Sequence, residues 1–314
     1  MNHLWGNQRR FNSWADRCRQ KYGSRLQRVS IHAGFTCPNR DGTIGYGGCT
    51  FCNNEGFSPA YCKSGNSIAW QIDQGVYFLN KRYKNPEKFI AYFQAYTNTH
   101  GSLEWLKSLY GEALAHPDIW GLAIGTRPDC VDDEKLDYFA ELARERFVSI
   151  EYGIESCCKK TLGRVNRGHS FEDSARAIEQ TASRGLHTGG HLIFGLPGET
   201  REQMLAQAEV LSALPLSTLK FHQLQIVRNT PMALEYEAHP EHFELFSLEE
   251  YVAFMVSFLE RLRPDISIER LSGEVPMPYQ LSPGWGRMRS DQIIRMIEKR
   301  MEERDTWQGK LWQG

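Results

Sequence analysis

The sequence predicts an α/β fold, a parallel sheet with helices packed outside it. Short runs of β-branched and aromatic residues recur six times, with helical patterns between them. Strand–helix alternation of this kind needs crossover connections, and those make neighbouring strands parallel. A long loop leaves the end of the first run, where β/α proteins place their chemistry. The 314-residue length suits one barrel or two smaller domains.

In order, the runs are Arg28–Ala33, Lys88–Ala95, Trp120–Gly125, Phe147–Gly153, His187–Gly195 and Leu219–Val227. Each has the length of a buried strand and is bounded by Gly or Pro signals. The helices between them are Ser67–Arg82, Ser102–His116, Asp133–Arg146, Phe171–Arg184 and Arg201–Leu214. In the fourth helix Ala175, Ile178 and Ala182 share a face, and Gly185 marks the stop. After Val227 the rhythm breaks. Leu248–Arg263 reads as a helix, Ile266–Leu271 as a β run and Ser290–Glu303 as a last helix. Residues 231–314 are therefore expected as a C-terminal α/β extension to a main unit of 28–230. Residues 1–27 form a basic N-terminal segment, in which Arg9, Arg10, Arg17, Arg19, Lys21 and Arg25, with Arg28 just beyond, are offset by Asp16 alone. That pattern fits a solvated helix face or a phosphate-binding patch.

Composition narrows the function classes. The 41% hydrophobic content suffices for a full core, and a formal net charge of −1 gives no global field to draw in nucleic acid. Residues 1–10 lack the apolar stretch of a secretion signal, and no run is apolar enough to span a bilayer. The expected compartment is the cytoplasm. In that reducing setting the eight cysteines are not a dense disulfide framework, and clustered ones point to metal or catalysis.

Three of them cluster in loop 34–66: Cys37, then Cys49 and Cys52, with Phe51 set before the last. Three thiolates can hold three irons of a cubane cluster and leave the fourth iron open for chemistry. The glycines of the loop let its backbone wrap closely around an inorganic core. The Cys-x-x-Cys pair also fits structural zinc, with His32 or Cys62 as a further ligand, or a dithiol redox site. Cys18, Cys62, Cys130, Cys157 and Cys158 lack ligand spacing and read as small buried or half-buried residues.

The loop resembles that of the radical S-adenosylmethionine (SAM) superfamily, whose three-cysteine motif ends in Cys-x-aromatic-Cys as Cys49–Cys52 does. Its longer Cys37-to-Cys49 spacing is similar to that of an uncharacterised bacterial family related to the elongator catalytic subunit and to oxygen-independent coproporphyrinogen oxidase. Further matching segments are Ala91–Thr99, Gly125–Cys130, Glu151–Ser156, Arg167–His169 and His191–Glu199. The resemblance implies a partial (β/α)6 TIM-like barrel, open on one side. A [4Fe–4S] cluster held by Cys37, Cys49 and Cys52 would stand at the C-terminal rim of the strands. SAM would chelate the open iron and be cleaved reductively to methionine and a 5′-deoxyadenosyl radical, which takes a hydrogen atom from the substrate. A one-electron donor such as flavodoxin or ferredoxin is the implied partner.

The resemblance also implies SAM contacts. Phe51 would lie near the adenine, unless it is loop core, and Glu155 and Arg167 would hold ribose and carboxylate. Where relatives have Gly-Gly-Glu for the SAM amino group, this chain has Gln94-Ala95-Tyr96, so that contact falls to Gln94, Thr97 or Asn98. His191 stands where relatives carry an acid that meets SAM. Glu151, Thr126 and Arg127 are expected at strand ends pointing into the barrel, as SAM or substrate contacts or as a buried structural pair.

Relatives of this kind modify the wobble uridine of transfer RNA, which makes tRNA the expected substrate. The N-terminal bases and Lys159, Lys160, Arg164 and Arg167 are then phosphate contacts, or else only an exposed helix face. The alternatives are a radical SAM enzyme acting on a small-molecule carboxylate and a non-catalytic metal-cluster protein. Leu271–Arg289, with Gly273, Pro276, Pro278, Pro283, Gly284 and Gly286, reads as a surface loop or as a mobile lid.

Overall fold

The computed structural model describes residues 3–54, 58–83, 87–282, 284–286 and 288–314. Seven strands form one parallel sheet in chain order: β1 (Leu26–Ile31), β2 (Lys88–Phe93), β3 (Ile119–Thr126), β4 (Phe147–Glu155), β5 (His187–Phe194), β6 (Thr218–Gln223) and β7 (Ser267–Arg270). The helices are α1 (Trp14–Tyr22), α2 (Ile68–Arg82), α3 (Leu103–Ala115), α4 (Asp133–Leu142), α5 (Lys159–Arg164), α6 (Phe171–Ser183), α7 (Arg201–Ser212), α8 (Pro231–Ala238), α9 (Leu248–Arg261) and α10 (Ser290–Glu303). Pairing only between sequential strands curls the sheet into a half-barrel, the expected partial TIM-like barrel, with β1 and β7 as its edges.

Local chemistry explains where the helices begin. Ser67, Ser102, Asp132, Ser170, Thr200 and Ser247 each accept a hydrogen bond from the first turn that follows. Alternation explains the layers. Val29, Ile31, Ala91, Phe93, Leu122, Ile124, Val148, Ile150 and Tyr152 face outward into one core shared with the helices. The intervening positions, including Arg28, Tyr92, Glu151, His191 and Lys220, face the interior.

The C-terminal extension joins the same sheet, because β7 continues the parallel register of β6 through Thr218↔Ser267 and Leu219↔Ile268. The chain ends cover its outer edge. Ile268 donates its N–H to the Asn12 carbonyl at 2.6 Å, and Gln308 donates to the Ile266 carbonyl at 2.9 Å. Helix α1 then closes the lower mouth of the barrel. Trp14 packs on His187 at 4.5 Å, Tyr22 on Trp120 at 5.0 Å, and Lys88 donates to the Tyr22 carbonyl at 2.9 Å. All three partners lie at the starts of strands, the end away from the cysteine loop.

Several of the N-terminal bases have acidic partners there. Arg9 pairs with Asp16 and Glu298, Arg10 with Asp305, and Arg19 with Asp16, while Arg28 turns into the barrel. Arg9, Arg10 and Arg19 are thus ion-paired near the closed end of the barrel, while Arg17, Lys21 and Arg25 stay exposed. Of the Leu271–Arg289 stretch, Pro283 and Arg287 lie outside the described residues. Its middle is pinned to the chain that follows β6, with Leu281 donating to Ile226 at 2.8 Å and Arg228 to Tyr279 at 2.7 Å. Among the described residues no helix is long and apolar enough to cross a membrane.

Candidate active site

The cysteine loop leaves β1 at the upper rim, where turns and neighbours shape it. Arg40 and Asp41 donate their N–H groups to the Cys37 carbonyl at 2.8 and 3.1 Å, and Cys52 donates to Cys49 at 3.1 Å. Later segments clamp it from above: Thr50 donates to the Val165 carbonyl at 3.0 Å and accepts from Met232 at 3.0 Å. Phe51 packs with Val165, Leu196, Leu224, Ile226 and Met232, which makes it part of a small apolar core under the loop. Cys49 is buried and Cys37 and Cys52 are half-buried.

Donors surround the sulfurs. Thr97 directs its hydroxyl to Cys37 Sγ at 3.0 Å, while Asn39 Nδ2 and Arg167 Nη1 reach Cys49 Sγ at 3.5 and 3.6 Å. Burial raises the Cys37 pKa, and burial followed by the Cys49 thiol pushes Cys52 up to about 11. Such thiols give up their protons readily only to a metal. Among the described residues, the only three metal-type side chains whose ligand atoms all lie within 4.8 Å of one another are His239, Glu241 and His242 on the surface. The three cysteine sulfurs are therefore spread more widely than in a single tetrahedral zinc site, where they stand about 4 Å apart.

Beside them the end of β4 is distorted. The register of β4 on β5 shifts between Gly153 and Glu155, and Glu155 sits at φ +65°. A side chain other than Gly at 153 would collide there: a Cβ would lie 2.4 Å from Glu155 Oε1 and 2.5 Å from Arg167 Nη2. The bare backbone lets Arg167 lie across it, donating to the Gly153 carbonyl at 2.7 Å and approaching Glu155 at 3.4 Å. Arg167 Nε is buried without a partner, a donor still open to an anionic ligand. Strain held at a single outlier of this kind marks ligand sites.

A model of the Radical SAM superfamily matches residues 37–211. The chain belongs to the radical SAM superfamily. A second model, the Radical_SAM C-terminal domain, matches residues 216–303. The chain is 32% identical over 306 residues to Uncharacterized protein YtqA of Bacillus subtilis, which covers 98% of this chain and 94% of that one. It is 37% identical over 267 residues to Protein YhcC of Escherichia coli, covering 85% and 84%. A solved structure of the archaeal Methanocaldococcus infernus Elp3 superposes with a TM-score of 0.65 at 16% identity, covering 90% of this chain and 64% of that one, and shares the fold.

This radical SAM enzyme therefore uses a [4Fe–4S] cluster and SAM, which together supply one-electron reductive cleavage of SAM. The three thiols with their donors fit the cluster. The open Arg167 Nε, beside Glu155 and the bare Gly153, fits the anionic end of SAM. Gly153→Ala is expected to displace Arg167 and weaken SAM binding to the cluster-loaded enzyme roughly tenfold or more, measured by equilibrium dialysis, since an ionic hydrogen bond of 1.5–3 kcal/mol is lost.

Other candidate residues stand at the ends of β2 and β3. Arg127 is 2% exposed, forks onto Asp129 at 2.9 and 2.7 Å, and donates to the Arg167 carbonyl at 2.6 Å. It holds Arg167 in place. Thr126 pairs with Thr99 at 2.6 Å, and Asn98 ties the ends of β2 and β3 by donating to Phe93 and Gly125. Gln94 is half-buried just past β2.

Glu151 does not end its strand; β4 runs four residues further, to Glu155. Its carboxylate accepts from Arg28 at 2.5 Å, Lys220 at 2.6 Å and His191 Nε2 at 3.1 Å. Glu269 completes the ring, 2.5 Å from Arg28 and 3.1 Å from Lys220. Two cations and two anions thus alternate across the barrel interior, joining β1, β4, β6 and β7, with the Tyr92 ring 4.6 Å from each cation. Burial, then the neighbouring Lys220, lowers the His191 pKa. Its Nε2 faces the Glu151 carboxylate, which can only accept, so Nε2–H donates. This is the buried-pair reading of Glu151, and the ring spans the barrel interior. Asn39, Lys220 and Glu269 are site residues the sequence reading missed; nothing in their spacing marks them.

Proposed function

We propose that this radical SAM enzyme modifies the wobble uridine of transfer RNA. One likeness carries the reading. The chain is 33% identical over 81 residues to a tRNA uridine(34) acetyltransferase of Methanocaldococcus infernus, covering 26% of this chain and 15% of that protein. The placement of charge supports it. Lys159 and Lys160 are exposed at the start of α5, four and five residues past Glu155, and the loop after α5 clamps Thr50 of the cysteine loop. They are the cations positioned to hold phosphate beside the site. Arg164 is instead tied to Glu235, Arg167 is buried at Cys49, and the N-terminal bases lie at the far mouth.

A base that reacts inside a barrel has to leave its stack. Residues lining the barrel interior, His191 among them, would orient the extruded nucleoside and exclude water, and Arg167 and Glu155 would hold SAM against the cluster. The electron would come from a flavodoxin or ferredoxin, and the place of action would be the cytoplasm. Mass-spectrometric profiling of tRNA nucleosides from a strain lacking the gene tests this: a wobble-uridine derivative is expected to vanish and its precursor to build up. An unchanged profile rejects the reading.

A further inference from the structure

Holding the loop needs backbone bonds, and those are already made; the side-chain donors aimed at sulfur are additional. Cys37 receives the Thr97 hydroxyl at 3.0 Å. Cys49 receives an amide N–H from Asn39 at 3.5 Å and a charged N–H from Arg167 at 3.6 Å. Thr97, Asn39 and Arg167 are 0%, 3% and 7% exposed, so water does not compete for these bonds. Each donor is locked by a second bond: the Thr97 N–H to Thr36 at 3.2 Å, Asn39 Nδ2 to Asn166 at 3.1 Å, and Arg167 Nη2 to Gly153 at 2.7 Å.

We propose that Thr97, Asn39 and Arg167 set the reduction potential of the cluster, with Cys49 its most strongly polarised ligand. One electron from a flavodoxin- or ferredoxin-class donor takes [4Fe–4S]2+ to [4Fe–4S]+, with no proton transferred. The added negative charge spreads onto the sulfurs, so donors at sulfur stabilise the reduced state more than the oxidised one and raise the potential. Arg167 has the largest effect because it brings a full charge into a poorly screened interior. Thr97, expected from the sequence as a contact to SAM, is a positioning and tuning residue in this assignment. The assignment depends on the family's cluster and not on tRNA as substrate.

The test is a redox titration of the anaerobically reconstituted full-length protein without SAM, following the electron paramagnetic resonance signal of the reduced cluster. At a poise matching the wild-type midpoint, Thr97→Val is expected to lower the ratio of reduced to oxidised cluster between threefold and tenfold; tenfold corresponds to 59 mV for a one-electron couple. Arg167→Gln should lower it more, and Thr97→Ser should restore the wild-type ratio. A wild-type midpoint in Thr97→Val carrying full iron and sulfide overturns the proposal. If the valine variant takes up no iron, the serine variant decides. Cluster uptake with a wild-type midpoint supports the hydroxyl–thiolate bond, and failure of both variants overturns it.

Discussion

Cys49→Ala yields a folded protein that holds no [4Fe–4S] cluster and forms no 5′-deoxyadenosine from SAM. Cys49 is the buried member of the three, and its sulfur is the acceptor for both Asn39 and Arg167. Alanine removes a ligand and leaves an amide and a guanidinium facing a methyl group, so two thiolates remain for a cluster that needs three. The backbone bonds that clamp the loop, Thr50 to Val165 and Met232 to Thr50, do not involve the side chain, so the fold survives. Iron and sulfide analysis, the visible absorbance of the reconstituted protein and an anaerobic SAM-cleavage assay read the result, with circular dichroism as the check on folding. Retained cleavage would mean that another residue ligates iron.

Glu151→Gln destabilises the protein by about 3–5 kcal/mol, because it leaves Arg28 and Lys220 sharing Glu269 as their one remaining anion in a buried site. Changing Lys220 to Met in the same chain recovers much of the loss, since Arg28 and Glu269 then stand as a neutral pair. Urea unfolding of the single and double variants measures both effects. A single variant within 1 kcal/mol of wild type would show that the ring contributes no net stability.

The ring also fixes a pH dependence. Arg28, then Lys220, outweigh burial and hold the Glu151 carboxyl well below the usual carboxylate range. A carboxylate depressed in the folded state adds stability that is complete above its unfolded pKa of about 4.3 and is lost as the pH falls through the folded value. Wild-type stability is therefore expected to drop below about pH 4 more steeply than that of the Glu151→Gln, Lys220→Met double variant.

Much of the architecture was readable from short stretches of chain. Short β-branched and aromatic runs located six strands to within a few residues, and Ser67, Ser102, Ser170 and Thr200 sit where the expected helices begin. Strand β7 was harder. It is four residues long, and its place in the sheet depends on register with β6 and on Asn12 from the other end of the chain. The position of the basic N-terminal segment was likewise set by tertiary contacts: Trp14 and Tyr22 seat it against the starts of the strands.

The cysteine motif marked a metal or redox loop by its spacing, because ligands a few residues apart in one loop are close in space whatever the rest of the chain does, and the resemblance to the radical SAM superfamily made it an iron–sulfur loop. The partners of Glu151 could not be found that way, since Arg28 is 123 residues distant and Lys220 69. Which inward-facing charges meet depends on the curl of the sheet and on a register in which a slip of one residue turns every side chain to the other face. The same holds for Arg167, 118 residues from Cys49. Local spacing put three thiols in one loop; only the curl of the half-barrel decided which side chains surround their sulfurs and which pair across its interior.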